Sequence, residues 1–156
     1  MKTKSEQLIY TVYDHAGELN PEDAALLTLA REATTTSYAP YSRYHVGAAV
    51  KLANGVLIKG SNQENISFPA GLCAERVAIF AAMASFPEET VEVVAISATA
   101  DDFEVDEPVP PCGICRQAML EYEMKSGKTI RLILGGQKGK VFIIEGVRQL
   151  LPLAFM

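Results

Sequence analysis

Four residues carry most of the chemistry this sequence offers: Cys73, Glu75, Cys112 and Cys115. Cys112-Gly113-Ile114-Cys115 is a Cys-x-x-Cys pair. Alone, such a pair fits a redox couple, a structural zinc knuckle or chance. A redox pair needs no third cysteine and sits after the first strand of a thioredoxin-like unit, which this pair does not. A structural zinc site takes four protein ligands. Here Cys73 is the only other cysteine, and His15 and His45 lie outside any ligand-like pair. Three ligands with the fourth position open is the arrangement in which a metal binds and activates a water. Glu75 adds a carboxylate that can take the proton of such a water and pass it on.

Spacing then dictates where these residues must sit. Two positions apart inside a helix, Cys73 and Glu75 would point to opposite sides. They converge only if the helix begins there, with the site in front of its axis. The second helix begins at the Cys-x-x-Cys, whose cysteines share a face at i, i+3. Two helix N-termini aimed at one point favour thiolate over thiol. Three thiolates on Zn²⁺ leave a net negative charge, and Arg76 is placed to draw it off by hydrogen bonding to sulfur. The plain alternative for Arg76 is a surface arginine paired with an acid.

The surrounding elements follow from local signals. Asn20 is an N-cap, Pro21 the first helical residue, and Glu22 and Asp23 complement the helix dipole. Leu26, Leu29, Ala30 and Ala33 form the apolar stripe of that helix, which should fray over residues 34–37. Residues 46–53 and 56–61 read as a β-hairpin around Asn54-Gly55. Residues 73–86 form a helix apolar nearly all round, stopped by Pro87 and expected to be buried. Residues 91–100 are a continuous apolar run, expected as a central strand covered on both faces. The acidic, proline-containing stretch 101–111 is expected as a solvated loop. A helix over 112–125 closes at Gly127, strands 129–136 and 141–146 flank a turn at 137–139, and 147–151 form a short last helix. Residues 1–19 are harder to read, with 8–12 fitting a short strand or an arm on a neighbour. The alternation predicts one layered α/β domain with helices on both faces of a single sheet.

Composition narrows the function classes. At 156 residues and 49% hydrophobic, the chain reads as a single ordered domain over 1–156. Lys plus Arg number 14 and Asp plus Glu 19, a net charge of −5 with no basic cluster, which argues against nucleic-acid partners. No apolar run approaches a membrane span and no signal-peptide pattern is visible, so no membrane partner and a cytoplasmic location are expected. Three cysteines are an odd number for a disulfide framework.

Cys73-Ala74-Glu75-Arg76 followed by the block 111–117 resembles the zinc signature of the cytidine deaminase family. The blocks 39–49, 62–65 and 150–155 match further family segments in order, and the resemblance runs from about Thr28 to the end. It implies a three-layer α/β/α fold with a mixed five-stranded sheet, one zinc per chain, and a homotetramer with composite sites. The implied reaction is hydrolytic deamination at C4 of cytosine in free cytidine or deoxycytidine, yielding uridine or deoxyuridine and ammonia. By the same resemblance Cys73, Cys112 and Cys115 hold the metal, Glu75 moves protons, and Arg76 supports the thiolates. Asn62 and Glu64 take the ribose hydroxyls, while Tyr44, where the family usually has Phe, packs on the pyrimidine. The backbone around Ala74 meets the amide edge of the base, and Phe155 reaches a neighbouring subunit's site or caps its own core. Rival readings are a blasticidin-type deaminase, which tends to lack the Arg at position 76, and a nucleic-acid-editing deaminase, which the acidic charge opposes. A non-catalytic zinc interaction module is the rival of another class, and Glu75 argues against it.

Overall fold

The computed structural model describes residues 1–155. Its strands are β1 (Thr11–Tyr13), β2 (Tyr44–Leu52), β3 (Leu57–Ser61), β4 (Val91–Ala100), β5 (Arg131–Gly135) and β6 (Val141–Glu145). The helices are α1 (Pro21–Ala33), α2 (Ala74–Ser85) and α3 (Gly113–Ser126). The strands form one mixed sheet in the order β1-β6-β5-β4-β2-β3, with only β4 and β5 parallel.

The side-chain period of two sorts the sheet into two cores. Ala48, Val50, Val94, Ile96, Leu132 and Leu134 face α2 and α3 on one side. Ala49, Ala95 and Ile133 face Leu26, Leu27 and Ala30 of α1 on the other. The three-layer α/β/α expectation therefore holds, and β4 is covered on both faces.

The strand count does not hold. The sheet has six strands rather than five, because Thr11–Tyr13 pairs antiparallel with β6, Thr11 opposite Ile143 and Tyr13 opposite Val141. That pairing covers an edge that β6 would otherwise leave open. The N-terminal helix behaves as its caps dictate: the Asn20 side chain accepts from the Asp23 amide, and residues 34–36 tighten into a 3₁₀ turn. The hairpin turns at Gly55 with φ +84, although β2 starts earlier than its apolar pattern suggests, at Tyr44.

Helix α2 departs from expectation in another way. Only one side packs on the sheet, leaving Phe80, Ala81 and Ala84 exposed, an apolar stripe at i, i+1 and i+4. The loop 101–111 is likewise not wholly solvated: Val105 and Pro108 are buried, and Val105 C=O accepts from the Gln137 amide.

Topology brings the two helix starts together. Ser61 of β3 and Ser97 of β4 flank the same β2 residue, Gly47, from opposite sides and both antiparallel to it. Strands β3 and β4 thus run the same way, and the helices that follow them start at the same end of the sheet. Gly60 lets α2 sit close: a Cβ there would lie 2.5 Å from Ala78 N and 2.8 Å from Ala74 O. No helix among the described residues is long and apolar enough to cross a membrane.

Candidate active site

Cys73 and Cys112 occupy the same place in their helices. Each is the N-cap, in extended backbone (φ −72, ψ 153 and φ −66, ψ 165), and neither thiol caps its own helix. The sulfurs are thus free to point beyond the helix ends. Glu75 follows as the second residue of α2 and Cys115 as the third of α3. Cys73 Sγ lies 3.8 Å from Cys112 Sγ, Cys112 Sγ lies 3.4 Å from Cys115 Sγ, and the three fall within 4.8 Å of one another. Tetrahedral zinc with Zn–S near 2.3 Å requires sulfurs about 3.8 Å apart. The cluster fits the ion in donor type and spacing.

The protein's own charges ionise the cluster unevenly. Cys73 is drawn down to about 5, chiefly by a hydrogen bond with the Cys115 thiol, and further by Arg76 and Cys112. Cys115 is pushed up, first by its contact with Cys73, then by burial and the Glu75 charge. A full set of three thiolates calls for a dication.

Arg76 meets the cluster from the side. Its Nη2 lies 3.8 Å from Cys73 Sγ and 3.5 Å from Gly71 O, while its buried Nε has no partner among the described residues. The guanidinium thus has a donor to spare beside the sulfurs. Glu75 is only 4% exposed, and its carboxyl is held above the usual range, first by burial and then by the Cys73 thiolate. A buried carboxyl beside a metal-type cluster is a group poised to hold and release a proton.

A cavity of about 680 Å³ opens in front of the two helices. Cys73, Cys112, Glu75 and Arg76 form its floor, and Tyr44, Asn62 and Glu64 reach it from the strand side. Asn62 is half committed: its Oδ1 accepts from Val46 N at 2.8 Å and its Nδ2 donates to Tyr44 O at 2.9 Å. It thereby clamps the start of β2 and with it the Tyr44 ring. Glu64 Oε2 accepts from Tyr41 N at 2.8 Å and Ser42 N at 3.3 Å. The Ser42 hydroxyl, followed by those amides, holds its carboxyl below the usual range, so an ionised acceptor stands at the cavity wall. Tyr44 is half-buried and stacked against Phe103, with centroids 6.2 Å apart and planes at 25°.

Two further candidate residues do not present their side chains to this chain's cavity. The Ala74 side chain is fully buried in the core and does not line the cavity; what it can offer is a free first-turn backbone N–H. Phe155 is 85% exposed and outside this chain's cavity, so it does not cap its own core. Its carbonyl accepts from Gln117 Nε2 at 3.0 Å.

Sequence reasoning passed over the aromatic rim, Tyr41 and Phe68, which meet edge to face at 6.0 Å and line the cavity. Tyr41 lies inside the 39–49 block that carries Tyr44, and Phe68 lies three residues past the 62–65 block that carries Glu64, which was the available signal. His45, which lies outside any ligand-like pair in the sequence, sits half-buried on β2 and bridges Ser37 Oγ at 2.5 Å and Asp101 Oδ1 at 3.1 Å.

The family described as the cytidine and deoxycytidylate deaminase zinc-binding region matches residues 20–129, which span both cysteine-bearing helix starts. The chain belongs to this family. It is 42% identical over 130 residues to a cytidine deaminase of Halalkalibacterium halodurans, covering 83% of this chain and 91% of that one. A crystal structure of cytidine deaminase from Burkholderia pseudomallei superposes with a TM-score of 0.73 at 33% identity, covering 88% and 100% of the two chains. A blasticidin-S deaminase from Bacillus cereus is more distant, 28% identical over 140 residues, covering 88% and 94%. With the family's zinc-binding region on these residues, the Cys73, Cys112 and Cys115 cluster fits one zinc per chain.

Proposed function

We propose that this chain converts cytidine and deoxycytidine, with water, to uridine and deoxyuridine plus ammonia. The observation that carries the reading is that a buried carboxyl, Glu75, and a three-sulfur metal cluster open onto one cavity of nucleoside size. When bound, zinc supplies the Lewis acidity that makes water a nucleophile near neutral pH.

The residues of the chain do the rest. Glu75 accepts a proton from the attacking water and delivers it to ring N3. It then takes the remaining proton from the hydroxyl now on C4 and delivers it to the departing exocyclic nitrogen, so one water supplies both protons. Its burial excludes bulk water from the transfers and raises its proton affinity above that of an ordinary carboxylate. Arg76 offsets thiolate charge by donating toward Cys73 Sγ. Asn62 and Glu64 orient the sugar hydroxyls, and Tyr44, backed by Phe103, offers a ring face to the pyrimidine. The Ala74 backbone N–H faces the amide edge of the base.

We further propose a homotetramer with composite sites. The uncovered stripe of α2 and the exposed ring of Phe155 are the surfaces that support it. Three free thiols suit a reducing compartment, consistent with pyrimidine salvage in the cytoplasm. The function is tested by following absorbance loss with cytidine, deoxycytidine, cytidine 5′-monophosphate and blasticidin S. Turnover of both nucleosides at far higher kcat/KM than the other two is expected. A preference for blasticidin S, or no turnover of either nucleoside by zinc-loaded protein, would overturn the assignment.

A further inference from the structure

Of the three cysteines, Cys112 is the most exposed, and it follows an eleven-residue loop, 101–111. What holds it in place is Arg116. The half-buried guanidinium donates from Nε to Pro111 O at 2.8 Å and from Nη1 to Leu150 O at 3.1 Å. Pro111 O belongs to the peptide that leads directly into Cys112, so this bond fixes the plane from which the Cys112 backbone departs.

The other end of the bridge is itself anchored. Residues 147–150 form a 3₁₀ turn whose entry is pinned by Glu123, a 7% exposed carboxylate on α3. Glu123 accepts from Val147 N at 2.7 Å, Arg148 N at 3.2 Å and Ile130 N at 2.7 Å. A buried carboxylate with three amide donors is a rigid anchor. The contacts therefore run without a gap from Glu123 through the turn to Leu150 O, then through Arg116 to Pro111 O and Cys112.

We propose that Arg116 is a positioning residue that couples the C-terminal turn to the Cys112 arm of the metal site. Only an arginine suits the place: its planar fork carries separate Nε and Nη donors at the spacing of two carbonyls, whereas a lysine ammonium is a single point. Gln117, the next residue, also donates to the tail but makes no hydrogen bond to Pro111 among the described residues, so it serves as a control. The proposal rests on the three-sulfur zinc site.

The test measures zinc release from the loaded, full-length chain into a chromophoric chelator under native conditions. Groups that orient metal ligands are typically worth 10- to 100-fold in metal affinity, so Arg116→Lys should release zinc about tenfold faster or more. Glu123→Gln should also speed release, and should add nothing further once Arg116→Lys is present, because both act through one bridge. Gln117→Ala should release zinc at the native rate. Native-rate release by Arg116→Lys overturns the proposal, and so do independent, multiplying effects of Arg116→Lys and Glu123→Gln. An equal effect of Gln117→Ala overturns it too. If Arg116→Lys does not fold, native-rate release by Glu123→Gln alone is decisive against it. A wild-type chain that retains no zinc would instead refute the metal site itself, a separate failure.

Discussion

Replacing Glu75 by Gln separates proton transfer from every other function of the site. The amide matches the carboxyl in shape, so packing against α2 and the sheet is preserved. It cannot carry a proton between water, ring nitrogen and leaving amine. General acid–base catalysis is worth about 10²- to 10⁴-fold, or roughly 2.7–5.4 kcal/mol at 1.36 kcal/mol per decade. Because Glu75 is only 4% exposed, buffer cannot reach in and substitute, and the loss should lie toward the upper end. Stability should move the other way. Burial and the Cys73 thiolate both oppose an ionised carboxylate at this position, and the neutral amide removes that cost. The Gln variant should therefore keep its zinc and melt at or above the native temperature while kcat collapses. The assays are metal content, a thermal melt and steady-state absorbance loss with cytidine. Activity within tenfold of wild type would remove Glu75 from the mechanism.

Five further outcomes are expected. X-ray absorption should find zinc bound by three sulfurs and one oxygen; a fourth sulfur or an imidazole nitrogen would refute the open site. Glu64→Gln should raise KM for cytidine and relax discrimination against cytidine 5′-monophosphate, since a carboxylate accepts a hydroxyl but repels a phosphate. Because the carboxyl of Glu64 is held below its ordinary value, its contribution is fully present above the normal Glu pKa and is lost only as pH falls through the lowered one; a KM that rises on acidification while pH is still above the normal Glu value would contradict this. Light scattering should report a tetramer, and a stable monomer of 16.9 kDa at micromolar concentration would refute it. Gly60→Ala should cost about 1–3 kcal/mol in denaturant unfolding, because the added methyl meets backbone atoms of α2 that have nowhere to go.

Local chemistry was legible in the residues themselves. Asn20-Pro21 started a helix and Asn54-Gly55 turned a hairpin because caps and turns are decided within a few residues. The spacing of Cys73 to Glu75 required that pair to stand at a helix start, and it does; Cys112 and Cys115, read at the start of the second helix, stand there as well. The family resemblance then supplied the reaction, with residue types that already made chemical sense together.

Tertiary structure decided what no local rule reaches. Cys73 meets Cys112 because β3 and β4 run the same way on either side of β2, a consequence of strand order rather than of spacing. The sixth strand arises because three residues near the start find the open edge of β6, some 130 positions along the chain. The apolar surface of α2 suggested burial, but one sheet can cover only one side of a helix, so its other side faces outward. Asn62, expected from the resemblance to take a sugar hydroxyl, is in the fold a clamp on β2, and Arg116, part of a motif block in the sequence, bridges Pro111 O and Leu150 O. Each of these depends on which distant backbone groups need a partner, and that becomes known only when the chain has folded.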